Sequence, residues 1–166
     1  MLSFFRHGKS NVRNDDLDHE KKGIIGRYYE NGLPVIMRFV DELPDNTIIE
    51  KLPFLTVLSW KYDGNKNNGM PQKDINERMI ALEDVLEENI KTSDIFVHAY
   101  SRTGNNLKEL VYYSKSQDDF ITMLNNALKK HERYPIEIDF YEDKEWSDFK
   151  KVLDDFKGEI DYKQNI

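Results

Sequence analysis

Hydrophobic and polar positions change period in a fixed order between residues 54 and 141. Residues 54–60 are β-branched and aromatic without strict alternation, which predicts a strand covered on both faces. Apolar residues at spacings of three and four then predict a helix that ends near Lys91. Strands are then predicted at 94–100 and 107–114, followed by a second helix and a last strand at 136–141. This order is the split βαβ, or ferredoxin-like, pattern, so we predict an α+β fold with an antiparallel sheet.

An N-terminal β-hairpin is predicted by two apolar runs, 23–30 and 33–40, on either side of Asn31 and Gly32. Asn-Gly between apolar runs is a strong hairpin signal, because a type I′ turn needs positive φ at both central positions. Pro34 indicates that the second strand starts there or lies at a sheet edge. We expect this hairpin to extend the four-stranded sheet.

The ends of the two long helices carry recognisable signals. Pro71 suits the first turn of the first helix, because backbone N–H groups there have no hydrogen-bond partner within the helix. Ser116 with Asp119 resembles a capping box at the start of the second helix, and Pro135 ends that helix.

An extra C-terminal helix is predicted after Asp143, whose carboxylate can cap it. Its aromatic stripe must cover an open part of the sheet or meet another subunit. We predict that the structural core includes Trp60, Leu82, Leu86, Trp146 and Phe149.

The predicted domain organisation is a single α+β domain at 22–158 between a flexible N-terminal tail at 1–21 and a frayed tail at 159–166. The first thirteen residues contain Arg6, Lys9 and Arg13 and no acid, next to Phe4 and Phe5. We interpret this segment as a loose terminus, with contact to a membrane surface as the alternative.

Composition places the chain among folded, acidic proteins. Its 166 residues suffice for one domain, and its 9 Tyr, 9 Phe and 2 Trp argue against disorder. A formal net charge of −7 disfavours nucleic-acid backbones unless the cations cluster. The chain has no cysteine, which excludes disulfides, thiolate zinc sites and cysteine nucleophiles. No apolar run approaches the ~20 residues that span a bilayer, so we expect a soluble, cytoplasmic protein.

Several short motifs imitate catalytic or metal sites without their structural setting. Arg6-His7-Gly8 resembles a histidine-phosphatase turn, but only five residues precede it and no buried strand leads into it. His98 lies in a predicted strand, where a sheet residue is more common than a ligand or base. A calcium loop would use Asp63, Asn65, Asn67 and Asp74, yet Asn68 replaces the turn glycine. We therefore predict no cofactor and no metal.

Acidic residues are the remaining signal. The predicted interaction surface consists of Glu83, Asp84, Glu87, Glu88, Glu142, Asp143 and Glu145. Four of these acids lie in the C-terminal half of the first long helix, where they oppose the helix dipole. They form either a solubility surface or a docking face for a basic protein partner.

The ordered landmarks of this chain resemble a bacterial family catalogued as domain of unknown function 695. These landmarks are Gly32-Leu33-Pro34, a strand ending in Trp60, Gly69-Met70-Pro71, Leu82-Glu83-Asp84 with Leu86, Thr103-Gly104, Tyr112-Tyr113-Ser114 and Glu145-Trp146. Leu110 and Lys144 depart from the expected pattern, in which an aromatic and a proline are common. The resemblance implies a fold and brings no established activity.

We therefore expect a non-enzymatic protein-binding or regulatory module with an acidic surface. The first alternative is a hydrolase with a carboxylate site near Glu145 and Trp146. The second is an RNA-binding domain that stacks bases on Tyr112 or Tyr113, although nucleic acid is unlikely with so acidic a chain. A basic protein is the expected partner, no membrane span is expected, and the oligomeric state stays open, with a dimer among the options.

Overall fold

The computed structural model describes residues 23–158, so the predicted tails at 1–21 and 159–166 lie outside the described residues. Six strands and four α-helices form within that range. The strands are β1 (Gly23–Glu30), β2 (Leu33–Val40), β3 (Phe54–Lys61), β4 (Phe96–Gly104), β5 (Leu107–Ser114) and β6 (Ile136–Glu142). The helices are α1 (Asn46–Lys51), α2 (Lys73–Ile90), α3 (Gln117–Leu128) and α4 (Ser147–Asp155).

All six strands belong to one sheet in the order β1-β2-β4-β5-β3-β6, and every pair of neighbours is antiparallel. The part from β4 to β6 has the ferredoxin-like order, in which α2 and α3 each connect two strands separated by a third. The hairpin β1-β2 joins this unit through β4. The predicted α+β fold with a hairpin extension is confirmed.

Both tight hairpin turns use residues with positive φ. Asn31 and Gly32 have φ of 49° and 76°, and Asn105 and Asn106 have φ of 49° and 64°. These values are typical of type I′ turns, whose twist matches that of the flanking strands. Pro34 lies near the start of β2, one residue before the first pairing with β4. It therefore removes no hydrogen bond from that ladder, although β2 is an interior strand.

Two local predictions need correction, and one element was not predicted. Pro71 precedes the N-cap residue Gln72, so it lies outside α2 rather than in its first turn. β4 extends to Gly104, because Asn105 and Asn106 alone make the turn. The short helix α1 was not predicted from its few apolar residues.

Helix α4 covers one face of the sheet, together with α1. Phe156 packs there on Phe39 with ring centroids 5.3 Å apart. Gly26 makes room for the Phe156 ring, since any side chain on β1 at that position would collide with it. The buried members of this core are Ile24, Met37, Phe39, Leu52, Leu55, Ala99, Val111, Tyr113, Trp146, Phe149, Val152 and Phe156. The last predicted helix thus covers an open face of its own sheet.

Helices α2 and α3 cover the other face. Ser116 caps α3 by accepting a hydrogen bond from the Asp119 N–H at 3.0 Å, as the sequence predicted. The buried core under these helices consists of Leu58, Trp60, Tyr62, Met79, Leu82, Leu86, Ile90, Phe96, Leu110, Tyr112, Phe120, Leu124 and Tyr134. It contains no residue of β1 or β2, so the two helices pack over β4, β5, β3 and β6 only.

The five residues predicted to form the structural core divide between the two faces. Trp60, Leu82 and Leu86 lie under α2 and α3, and Trp146 and Phe149 lie under α4. All five side chains are at most 3% exposed.

Candidate functional site: a groove between α2 and the N-terminal hairpin

A groove of about 550 Å³ runs between the second half of α2 and the adjoining face of β1, β2 and β4. It exists because α2 packs on β4 and β5 and stops short of the hairpin. Its volume lies within the range of ligand-binding pockets. We call it the α2–hairpin groove, and its principal lining residues are Ile25, Arg38, Val40, Glu83, Glu87, Ile90, Lys91, His98 and Tyr112.

The hairpin wall of the groove is largely apolar. Successive side chains of a strand alternate between faces, so Ile25, Arg27 and Tyr29 lie opposite the face that carries Ile24 and Gly26. Ile25 is 47% exposed and Tyr29 is 65% exposed. Large apolar side chains left exposed beside a concave surface are typical of an interaction site.

The helix wall of the groove is acidic. Glu83 and Glu87 are four residues apart and so lie on one side of α2, facing the groove. Burial, and then the negative charges of Asp84 and Glu83, raise the pKa of Glu87 above its ordinary value despite Lys91. The contribution of the neighbouring acids to this shift indicates a wall at which a further negative charge is disfavoured and a cation is favoured.

The floor of the groove contains a neutral histidine. The His98 ring packs against Tyr112 with centroids 4.9 Å apart, and His98 Nε2 donates to the Tyr100 carbonyl at 3.1 Å. Burial lowers the pKa of His98 to about 4, although Glu83 opposes the shift. Burial also raises the pKa of the Tyr112 hydroxyl. Both side chains are therefore uncharged near neutral pH.

Glu83 is held in place by a buried lysine. Lys108 Nζ forms an ion pair with Glu83, and the two side chains are 7% and 12% exposed. Lys108 Nζ also donates to Thr103 Oγ1 at 3.1 Å. The Glu83 carboxylate is thus fixed by Lys108 of β5, while Glu87 lies one turn further along α2.

The seven predicted interaction residues fall into two separate groups. Glu83, Asp84, Glu87 and Glu88 belong to α2, and the first and third of these line the groove. The second group, Glu142, Asp143 and Glu145, lies at the end of β6 and just before α4, and β6 is the edge strand opposite the hairpin. The fold therefore does not bring the seven acids together.

Within the second group, Asp143 has a structural role. Its carboxylate accepts hydrogen bonds from the Tyr113 hydroxyl at 2.7 Å and from the N–H groups of Ser147 and Asp148 at 2.8 and 3.1 Å. Burial opposes ionisation, but these hydrogen bonds prevail and lower the pKa of Asp143. Glu142 pairs with Lys144 at 2.8 Å.

The region around Trp146, where the hydrolase alternative placed a carboxylate site, is filled. The Trp146 ring stacks on Tyr113 with centroids 3.8 Å apart, and its Nε1–H donates to the Leu52 carbonyl at 2.9 Å. Trp146 has a φ of 54°, a left-handed conformation that is unfavourable for a bulky residue and is held here by that packing. These contacts make Trp146 a buried residue that anchors the start of α4, and they leave no room for a substrate beside it.

The aromatic residues of the RNA-binding alternative are also buried. Tyr112 and Tyr113 are 3% and 0% exposed, because helices cover both faces of the sheet. Neither ring can stack on a base. The two cations of the same β4–β5 hairpin are engaged as well, Arg102 with Glu30 at 2.8 Å and Lys108 with Glu83.

The polar loop that resembles a calcium loop in sequence is ordered by its own contacts. Asp63 Oδ1 accepts from the Asn65 N–H at 3.0 Å, and Asn67 Nδ2 donates to the Pro71 carbonyl at 3.0 Å. In residues 23–158, no three His, Asp or Glu side chains converge as metal ligands. Across the same described range, no helix has the length and hydrophobicity to cross a bilayer.

Sequence reasoning identified the acidic wall of the groove and missed the hairpin wall. Ile25, Arg38 and Val40 read as ordinary strand residues, and His98 was interpreted as a sheet residue. One signal was present: β1 carries large apolar side chains at Ile24 and Ile25, on both of its faces. A strand at the end of a sheet with two apolar faces predicts cover on both sides.

Comparison with known proteins gives a family and no relative of known activity. No curated protein and no solved structure matches this chain significantly. Residues 28–153 match DUF695, which is described as a family of unknown function. The match extends from β1 into α4 and so covers nearly all of the described fold. The chain belongs to the DUF695 family.

Proposed function

We propose that this protein is a binding module whose α2–hairpin groove takes an apolar protein segment that carries cationic side chains. The observation that supports this proposal is the pairing of an apolar hairpin wall with an acidic helix wall around one cavity. Apolar side chains of the partner fill the groove, and its lysines or arginines face Glu87 on the helix wall.

The state of Glu87 supports a cationic partner. Its pKa is raised, first by burial and then by Asp84 and Glu83, so its charge is only partly compensated by Lys91. A cation placed beside it relieves that repulsion. Glu83, by contrast, already has Lys108, and we assign it to shaping the wall.

The chemistry of the groove favours binding over catalysis. A histidine with a pKa of about 4 is a weak base at neutral pH, far from the value that suits general acid–base work. The Tyr112 hydroxyl has a raised pKa and is a poor nucleophile. We therefore assign the groove to recognition, and on the absence of cysteine we place the protein in the cytoplasm.

The proposal is tested with a labelled synthetic peptide in which leucine and lysine alternate, followed by fluorescence anisotropy. We expect it to bind the full chain, and to weaken between ~50 mM and ~500 mM salt because exposed charges are screened. A matched peptide with glutamate in place of each lysine is expected to bind far more weakly. Equal binding of the two peptides would contradict the proposal.

Charge reversals on the protein locate the site. Glu87→Lys is expected to weaken binding of the lysine peptide by about two- to fivefold, the effect of a partly exposed charge pair. Glu142→Lys makes the same charge change away from the groove and serves as the matched control. Equal losses in the two variants would assign binding to net charge instead of the groove.

A further inference from the structure

We propose that the chain's own N-terminal segment, residues 1–13, docks in the α2–hairpin groove and competes there with the partner. The inference rests on the proposed function in one respect, namely that the groove accepts an apolar segment bearing cations. It adds an occupant that belongs to the same chain, so that the protein itself limits how much of the groove is open to the partner.

The point at which the chain leaves the described fold favours this occupant. Gly23 is the first described residue, and it lines the groove itself. Phe5 precedes Gly23 by 18 positions, a stretch that can span up to about 60 Å. Reach is therefore not limiting. Covalent connection gives such a segment a local concentration on the order of millimolar.

The composition of the segment matches the groove. Leu2, Phe4 and Phe5 supply apolar side chains for the wall formed by Ile25 and Val40. The cations of residues 1–13 are Arg6, Lys9 and Arg13, with no acid among them, in a chain of net charge −7. A segment whose charged side chains are all cationic is complementary in charge to the acidic wall of α2.

The test uses paramagnetic broadening, which the cysteine-free chain allows with a single label. A spin label is attached to Ser3→Cys in the full chain, and backbone amide signals are compared with the label oxidised and reduced. We expect strong broadening at Ile90 and Ser93 in the groove and none at Leu153 on α4. The pair Phe4→Ser and Phe5→Ser, outside the described fold, is expected to abolish the broadening.

Charge reversal provides a second, independent readout. Arg6→Glu is expected to reduce the docked population by about two- to fivefold, and Glu87→Lys in the same protein is expected to restore it. Glu142→Lys, the matched change away from the groove, is expected to restore nothing. Restoration by Glu142→Lys as effective as that by Glu87→Lys would overturn the assignment of Arg6 to the helix wall.

Two results would overturn the proposal as a whole. Broadening that survives Phe4→Ser with Phe5→Ser, or that is as strong at Leu153 as at Ile90, would show that the segment does not occupy the groove. Broadening in a mixture of spin-labelled protein and isotope-labelled protein without a spin label would show that the occupant is a second copy.

The leucine–lysine peptide separates this inference from the proposed function. If the segment masks the groove, Phe4→Ser with Phe5→Ser raises the affinity for the peptide by the reciprocal of the undocked fraction. Equal affinity of the two proteins would refute the mask and leave the proposed function standing. Contact of the segment with the groove, with no peptide bound to either protein, would refute the proposed function and leave the docking standing.

Discussion

The two faces of the sheet are closed to different degrees. Under α4, the buried polar groups have partners within the chain: Trp146 donates to Leu52, and Tyr113 donates to Asp143. On the other side, α2 and α3 close the face over β4, β5, β3 and β6 and leave the hairpin uncovered. Ile25 and Tyr29 are consequently exposed, although they belong to the same strand as the fully buried Ile24.

The difference separates residues that stabilise the fold from residues available for recognition. Asp143 caps the start of α4 and Glu142 pairs with Lys144 at the surface, whereas Glu83 and Glu87 of α2 line a cavity. Two acidic clusters that look alike in sequence therefore have different roles. The burial and the partners of each carboxylate distinguish the two clusters, whereas the number of acids in each cluster does not.

Removing the anchor of the closed face is expected to have the largest effect. Trp146→Ala deletes a fully buried ring that stacks on Tyr113 and holds α4 against the sheet. We expect the free energy of unfolding to fall by about 3–5 kcal/mol in chemical denaturation. Glu145→Ala, its exposed neighbour, is the control and should change stability by less than about 0.5 kcal/mol. Similar values for the two variants would show that the α4 face is not closed as described.

The buried ion pair behind the groove is expected to come next. Lys108→Met removes the ion-pair partner of Glu83, whose side chain is only 12% exposed, and we expect a loss of about 3 kcal/mol. Adding Glu83→Leu should restore most of that stability, because no unpaired charge remains. A double mutant as unstable as the sum of the two single mutants would show that the pair is not coupled.

The floor histidine is expected to make stability depend on pH. The pKa of His98 is about 4 in the folded protein and near 6.5 when unfolded, so between these values the unfolded chain binds a proton that the folded protein rejects. Stability should therefore fall as pH decreases from 7 to 4, by on the order of 1–3 kcal/mol. His98→Gln lacks this contribution, and denaturation at several pH values should give it a shallower slope. Identical slopes for the two proteins would contradict the lowered pKa of His98 in the folded protein.

The smallest effect on stability is expected at the open wall. Ile25→Asp changes a side chain that is 47% exposed, and the free energy of unfolding should fall by about 1 kcal/mol. The same change places a polar, charged group in the apolar wall and should reduce binding of the leucine–lysine peptide by about tenfold or more. Unchanged binding of the peptide would show that the hairpin does not form part of the binding site.

Sequence patterns predicted the elements well, because the information is local. The Asn31-Gly32 turn, the β1 and β2 boundaries and the cap at Ser116 each depend on a few neighbouring residues, and all agree with the structure. The extent of β4 was missed at both ends: it starts at Phe96, and the predicted turn residue Gly104 still pairs with Leu107.

The candidate site was only half predictable, because it depends on which elements meet. The acidity of α2 is visible in the sequence, but its placement beside Arg38 and Ile25 follows from the pairing of β2 with β4. The grouping of Glu142, Asp143 and Glu145 with those acids failed for the same reason, since α4 packs on the opposite face. Charge along a sequence does not specify the face of a sheet on which it lies.

Chemical-shift mapping of the leucine–lysine peptide on the full, isotope-labelled chain tests the central claim most directly. Recognition through the open face predicts shifts at Glu87, Lys91 and Val40 around the groove. The Trp146 indole N–H, bonded to the Leu52 carbonyl under α4, should remain unchanged. Shifts centred on Trp146 and α4, with the groove residues silent, would contradict the account.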